Sequence, residues 1–440
     1  MSIRSIIYFG IDLFICSWRG SLFYYGWLAF LGFFIMLAVW GNFEQLTKGM
    51  IVTNLNDQVT WGMYLSNFVF LVGVAAAAVT IVFPAYFLKN KHMKHVVVLG
   101  EIVAIAAVIM CLLFVVNHMG RPDRAWHMTP SWLPVPIFHG IYNWPNSMLT
   151  WDVIVLNGYL ALNVFCAFYY MYMKYLGREV NKLIYLPVVY LACVWALSIH
   201  TVTAFLINTM PARPMWHHSI LPIKFITTAF AAGPSLIIIA FSIIKKVTKF
   251  EIGKEVFDFL SKVVLWCLGI ALFLILSELV TEFYANTEHS FSLRYLVTGM
   301  YGLWGLVPWF WTAMVLMIGG FVLLLIPKIR KNLMLLPFIC GMVFVGIWID
   351  KGMGFVIPGF IPSPIGEFSE YTPSLIEIVN SLGNWAVGFM VFTMLAKCAI
   401  AISTGEVRYR DPKSIVTQSV DPPSFKGGGT PPWQSGRWGA

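Results

Sequence analysis

A few ionisable residues stand where a bilayer would leave no water. His118, Asp152 and His200 lie in or at the ends of long apolar runs, and Glu101, Glu278, Glu282 and Asp350 occupy others. A charged side chain at the centre of a spanning helix costs about 2.5–3.5 kcal/mol on insertion scales, so each of these needs a partner or a task. Histidine titrates close to neutrality, and a carboxylate holds or releases its proton according to its neighbours. Together such groups can exchange protons with a polar ligand, as general acids and bases.

Each residue also admits a plainer reading. Asp152, directly after Trp151 at the start of a run, is what an N-terminal cap or dipole partner looks like. Asp350 beside Lys351 reads equally as an ion pair at the membrane interface, and Glu101 is near enough to the headgroups to be structural. His200 sits within residues 183–212, a stretch with no formal charge, so either a structural hydrogen bond or a functional role must account for it. The sequence Gly120-Arg121-Pro122-Asp123-Arg124 sets two guanidinium groups at the rim, able to pair with Asp123, with headgroups, or with Asp152. A second polar knot runs from Pro211 through Arg213, Trp216 and His217 to His218, and its prolines demand non-helical backbone that is buried in protein or wet.

Metal chemistry finds little support in the spacing. All seven cysteines are isolated and no C-x-x-C pair occurs, so no iron–sulfur cluster or structural zinc is expected in this chain. A bis-histidine haem would have to use His118 and His200, since the remaining histidines fall in loops, beyond prolines or among the basic flanks.

The elements that position these residues follow from composition. The 440 residues are 59% hydrophobic and 11% charged, with a mean hydropathy of +0.77, which describes an integral membrane protein of all-α class and excludes nucleic-acid binding as the reason for the +9 net charge. Runs free of Lys, Arg, Asp and Glu cover 20–43, 58–88, 102–120, 153–173, 183–212, 225–244, 263–277, 295–327, 332–349 and 378–396. Crossing a bilayer takes about 20 residues, so ten transmembrane helices are predicted; the seventh run is the shortest and needs Glu278 to face protein. Residues 1–19, interrupted by Asp12, are expected to form an interfacial helix rather than a signal peptide, 20–404 the membrane domain, and 405–440, rich in Pro, Gly and Ser, an extended cytoplasmic tail. Alternating the ten helices places 22 Lys and Arg on one side and 7 on the other, which predicts a multi-pass protein of the cytoplasmic membrane with both termini inside. The opposite face carries the long loops 121–150, 209–222, 283–294 and 350–375, the expected docking surface.

Several strings resemble those of the NrfD/PsrC-type membrane subunits of quinone-linked redox complexes. These are Leu197–Phe205 around His200, Pro211–His217, Phe230–Pro234, Trp61–Tyr64 with Phe68–Phe70, Gly120–Arg124, Trp151-Asp152 and Asp350–Pro362. Within that family the pattern is most similar to DsrP, an Hdr-like menaquinol oxidoreductase subunit associated with sulfite reduction in sulfate reducers; the Hmc and Qrc membrane subunits are close rivals. The resemblance implies two four-helix bundles, helices 2–5 and 6–9, flanked by helices 1 and 10. It implies menaquinone or menaquinol bound non-covalently near the outer face, with no haem or iron–sulfur cluster in this chain. Electrons would pass to an outer-side ferredoxin-like iron–sulfur subunit, with a multihaem cytochrome c and other subunits in the complex. His118, Asp152 and His200 then become candidates for exchanging quinol protons, with Arg121 or Arg124 tuning Asp152; Tyr64, Arg213, Trp216 and His217 would shape the pocket or the docking surface. Glu101, Glu278, Glu282 and Asp350 are candidates for a proton path.

Two other classes remain open on sequence grounds. A secondary transporter would line an ion path with Glu101, Glu278 and Asp350 between helices broken at Pro84, Pro187, Pro234 and Pro337. A haem-bearing membrane cytochrome would use the His118/His200 pair.

Overall fold

The computed structural model describes residues 3–128 and 148–409. Among them ten helices are long and apolar enough to cross a bilayer: α1 (Leu22–Lys48), α2 (Met63–Tyr86), α3 (Lys91–His118), α4 (Met148–Tyr175), α5 (Lys182–Asn208), α6 (Leu221–Val247), α7 (Lys254–Ala285), α8 (Val307–Leu325), α9 (Leu336–Phe360) and α10 (Leu375–Ser403). No strand occurs among the described residues.

Most helices outrun their charge-free cores, because lysine stems reach the headgroups from inside a helix end. α3 starts at Lys91, where the Asn90 side chain accepts from the backbone N–H groups of His92 and Met93, and not near residue 102. The shortest apolar run becomes the longest helix, α7, with 32 residues. The run 295–327 does the reverse and divides. A short helix, Phe291–Thr298, is separated from α8 by a turn in which Gly299 (φ 74°) and Gly302 (φ 80°) take left-handed conformations that a side chain would resist. α9 is regular only to Lys351 and continues as short helical turns at Met353–Val356 and Pro358–Phe360.

The prolines break fewer helices than a transporter reading requires. Pro337 lies in the first turn of α9, where its missing N–H costs nothing. The real interruption is a 3-10 turn at Ala76–Ala78 in α2, packed against Gly233-Pro234 of α6. A Cβ at Gly233 would lie 2.3 Å from Ala77 Cβ, so small residues on both helices set this close crossing. Gly233→Val is expected to destabilise the protein by about 1–3 kcal/mol through overpacking. Thermal unfolding in detergent checks it, and an unchanged midpoint would show that the crossing can spread.

Successive helices pack from α2 through α5 and from α6 through α9, with α9 returning to α6. α2 and α5 both meet α6, α10 covers α3, and α1 lies on α10. The most apolar windows of α2 and α3 are 89% and 83% buried, against 17% for α1, so the core is the centre of the molecule and the rim is lipid-facing. Exposed Phe30, Trp266 and Phe273 fit that rim, where the solvent is hydrocarbon. Some polar groups in the core share one partner: the Trp348 and Trp385 indoles, from α9 and α10, both donate to Asn67 Oδ1 of α2 at 3.0 Å.

The predicted amino-terminal helix spans Ile3–Trp18. Phe9 packs on Tyr172 and Tyr175, and Asp12, the residue that interrupts its apolar run, accepts from the Tyr175 hydroxyl at 2.5 Å. Ile3, Ile7, Phe14 and Trp18 remain exposed. The tail expected from 405 is described only to Tyr409, whose N–H donates to Tyr175 O; residues 410–440 lie outside the described residues.

Candidate functional site

α4 and α5 bring the first group together. Asp152 stands one turn inside α4 and is 3% exposed, so it does not cap the helix. Its Oδ1 lies 2.7 Å from the Thr203 hydroxyl on α5, which also lies 2.8 Å from the Ile199 carbonyl. One hydroxyl proton serves only one of these acceptors at a time. His200, three residues before Thr203, shares that face of α5. It is 2% exposed; Nδ1 is 3.4 Å from Ala196 O, and Nε2 is buried with no hydrogen-bond partner. From α3, Cys111 lies close enough to Asp152 to interact electrostatically. His118, seven residues on and so on the same helix face, ends α3 with its Nδ1 buried and without a hydrogen bond.

α9 supplies a cation that sequence reasoning placed elsewhere. Asp350 and Lys351 are not an interfacial pair: they are 8% and 3% exposed, and successive residues of a helix point about 100° apart. The Lys351 ammonium lies 3.3 Å from Phe225 O and 4.3 Å from the Phe225 ring centroid, and a Cβ on Gly73 would sit 3.2 Å from it. It thus projects into the contact of α2 with α6, within electrostatic range of His200 and Cys111.

Asp350 lies within electrostatic range of Lys224 and Glu278 as well as of Lys351. Lys224 Nζ donates to Glu278 Oε2 at 2.7 Å, while Glu278 Oε1 is 3.9 Å from His218 Nε2 and Asp350 Oδ2 has no hydrogen bond. Glu278 therefore faces protein, as the length of α7 required. Glu282 sits half-buried one turn further along α7. Burial, followed by the smaller opposing influence of Glu278, holds the His218 imidazole below its ordinary range. An imidazole kept neutral by the fold must take up a proton to unfold in acid, so its stabilising contribution is present above the unfolded value of about 6.5 and is lost as pH falls below it. His218→Asn is expected to flatten the fall in unfolding temperature between pH 7 and pH 5; a slope equal to wild type would exclude His218 as its source.

The proline knot is a clamp between halves of the chain. Trp216 is fully buried, donates from Nε1 to Phe355 O at 3.1 Å, and stacks on Trp61 with centroids 5.5 Å apart. A Cβ on Gly359 would run into the same indole. Arg213 donates to Phe360 O at 2.9 Å and lies over the Phe360 ring. His217 Nδ1 meets Asn208 O at 2.7 Å and the ring is exposed. Trp216 therefore belongs to the packing beneath these loops and not to their surface, whereas His217 lies on that surface.

Other expectations need correction. Arg121 makes a two-pronged pair with Asp123, 2.8 and 2.9 Å, with both side chains exposed. Neither it nor the exposed Arg124 contacts Asp152 among the described residues, because the loop folds its guanidinium back on its own turn. Tyr64 is fully buried and already engaged: it donates to Gln45 Oε1 at 2.8 Å and accepts from Asn380 Nδ2 at 3.0 Å. Gln45 also donates to Asn117 O, and nearby Tyr371 donates to Glu377, the N3 partner of a capping box with Ser374. The group ties α1, α2, α3 and α10 at one end. Glu101 lies ten residues into α3, ~15 Å from its start. It is 2% exposed, accepts from Tyr185 at 3.2 Å, and borders a cavity of about 10 Å³ with Tyr159 and Asn163. That is roughly the room of one water, deep in the packing and not at the headgroups. Thr203, Lys224, Gln45 and Asn380 were not singled out from sequence; Lys224 escaped because it stands just outside the charge-free run of α6.

Comparison with known proteins closes the description. The profile of the family "Polysulphide reductase, NrfD" matches residues 51–357. The chain belongs to the NrfD family. Among its relatives, a protein assigned as the membrane subunit of a dimethyl sulfoxide reductase in Halobacterium salinarum is 23% identical over 83% of this chain and 89% of its own. A selenate reductase subunit of Mesobacillus selenatarsenatis is 22% identical over 83% and 91%. The Hdr-like menaquinol oxidoreductase integral membrane subunit of Archaeoglobus fulgidus is 20% identical over 80% and 87%. The NrfD match takes in α2 to α8 and α9 up to residue 357, and hence every buried ionisable group from Glu101 to Lys351; α1, α10 and the carboxyl end fall outside it.

Proposed function

We propose that this NrfD-family chain is the quinone-binding membrane subunit of a respiratory redox complex, exchanging protons with menaquinol or menaquinone near the outer face. The observation that carries the reading is the Asp152–Thr203–His200 group, built from two spanning helices around a buried imidazole nitrogen with no hydrogen bond. Such a nitrogen fits the hydroxyl of a quinol or the carbonyl of a quinone, since neutral imidazole offers either a donor or an acceptor. The bound quinol supplies two electrons and two protons. His200 would hold the head group and take a proton at Nε2; Asp152 would take a proton at its carboxylate, positioned by Thr203; His118 would pass protons toward the outer rim. Lys351, a cation across the helix interface, would limit the build-up of further positive charge at the site.

Electrons would leave through an iron–sulfur subunit docked on the outer loops, His217 among its contacts, toward catalytic or multihaem cytochrome subunits. The names of the relatives support a reductase or menaquinol oxidoreductase complex; a link to sulfite reduction rests on the sequence resemblance alone. With this orientation both termini face the cytoplasm. Glu101 on one side and Glu278, Glu282 and Asp350 on the other would serve proton movement, the second set held by Lys224.

Extraction of the purified chain is expected to release menaquinone in near-stoichiometric amount, and the complex to reduce its acceptor with a menaquinol analogue. Absence of bound quinone together with no quinol-dependent reduction would refute the assignment. Uptake of an ion by the chain alone in liposomes would favour a transporter, and a Soret band from this chain a cytochrome.

A further inference from the structure

A cavity lies at the end of the molecule opposite Asp152 and His200. It occupies 1860 Å³ between the amino-terminal helix, the start of α1, the middle of α3 and the last halves of α6 and α10. Small-molecule pockets usually hold about 300–1,000 Å³, so a larger and more extended occupant is required. Its inner walls are apolar, with Ala106 and Met110 of α3, Leu236 and Ile243 of α6, and Phe392 and Ile400 of α10. Its mouth carries four cations, Arg19, Lys249, Lys397 and Arg408, against two acids, Asp12 and Glu406, of which Asp12 is engaged by Tyr175.

Depth identifies the occupant. From Val247, the last residue of α6, to Leu236 is eleven residues, ~17 Å, and from Lys397 to Gly388 is nine, ~14 Å along α10. One leaflet contributes about 15 Å, half of a ~30 Å hydrocarbon core. The floor is where α10 meets α3: a Cβ on Gly388 would lie 2.2 Å from Met110 Sδ. A cleft one leaflet deep, apolar below and cationic above, matches a lipid of that leaflet, whereas a spanning helix needs the full thickness. The Lys397 ammonium sits 3.9 Å from the Tyr24 ring centroid and is buried with no hydrogen-bond acceptor, a cation still lacking its anion. Basic pockets between spanning helices bind anionic headgroups.

We infer that this cleft is a binding site for an anionic diacyl phospholipid. The phosphate lies among Arg19, Lys249, Lys397 and Arg408, and the acyl chains fill the gap between α3, α6 and α10, wedging the amino-terminal helix and α1 against the core.

The full chain, purified in detergent and stripped of lipid, is tested by adding phosphatidylglycerol or cardiolipin, phosphatidylcholine, or inorganic phosphate, while unfolding temperature and retained lipid are followed. The anionic lipids are expected to raise the unfolding temperature by several degrees, phosphatidylcholine less, and phosphate not at all. The double variant Arg19→Gln/Lys397→Gln is expected to retain at least about tenfold less anionic lipid. Ala240→Trp, which fills the apolar wall and leaves the cations intact, should lose it as well. Equal responses to anionic and zwitterionic lipid, a response to phosphate alone, or unchanged retention in both variants would overturn the inference. So would a chain ending at Tyr409 that binds lipid when the full chain does not, since the occupant would then be residues 410–440.

Discussion

Asp152→Asn is expected to lower quinol-driven turnover of the complex by about 10²-fold or more, the usual contribution of a positioned acid or base. The substitution is nearly isosteric, and the amide oxygen still accepts from Thr203 at the place where Asp152 Oδ1 now does. What it removes is the capacity to gain and lose a proton. His200→Gln should have a similar effect, because Nε2 is the buried nitrogen left without a partner. Thr203→Val tests positioning: the carboxylate loses its hydrogen bond but keeps its chemistry. Its loss should be smaller than that of Asp152→Asn, with a displaced pH profile instead of abolished turnover. The measurement is reduction of the native acceptor by a menaquinol analogue in membranes, with complex assembly checked separately. Assembled complexes in which Asp152→Asn and His200→Gln turn over like wild type would end the proton-exchange role of this group.

Removing Lys224 should produce the largest stability effect. Lys224→Met leaves Glu278 without its ion-pair partner and removes one of the two cations near Asp350, and breaking such a buried pair costs about 3–5 kcal/mol. The double variant Lys224→Met/Glu278→Leu should recover most of that, since an apolar pair of similar volume replaces a buried ion pair at little net cost. Recovery falls short of complete because Asp350 has lost one of its two neighbouring cations and keeps only the more weakly acting Lys351. Thermal unfolding of the three proteins in one detergent provides the comparison, read as a cycle. A single variant as stable as wild type would mean that Glu278 and Asp350 reach water or accept protons without resistance. If assembly with partner subunits survives in the double variant while proton-coupled activity is lost, the group serves movement of protons; if both survive, it only holds α6, α7 and α9 together.

Much of the architecture was readable from composition. Ten uncharged runs became ten long helices because lipid leaves the backbone no other partner than itself. Helix ends were not readable by charge alone: Lys91, Lys182 and Lys254 each begin a helix, since a lysine at the rim extends to water. The same criterion misjudged Glu101, placed near the headgroups by a run beginning at 102 and found ~15 Å inside a helix that starts eleven residues earlier.

Side-chain partners divide in the same way. Spacing within one helix was informative: His200 and Thr203 share a face, as do Cys111 and His118, because 3.6 residues complete a turn. Spacing across helices was silent. Arg121 found Asp123 two residues away instead of Asp152, and Asp350 and Lys351, adjacent in sequence, serve different neighbours.

Read alone, the sequence establishes ten helices long and apolar enough to cross a membrane, with acids and histidines retained within the apolar spans. Hydropathy and charge act residue by residue, so a linear pattern carries them. The folded arrangement of the helices is what brings Thr203 to Asp152, Lys224 to Glu278 and Trp216 onto Trp61, and opens a cleft beside Lys397. Those pairings depend on which helices are neighbours and how each is rotated, and close approaches such as Gly233 on Ala77 and Gly388 on Met110 fix both by packing.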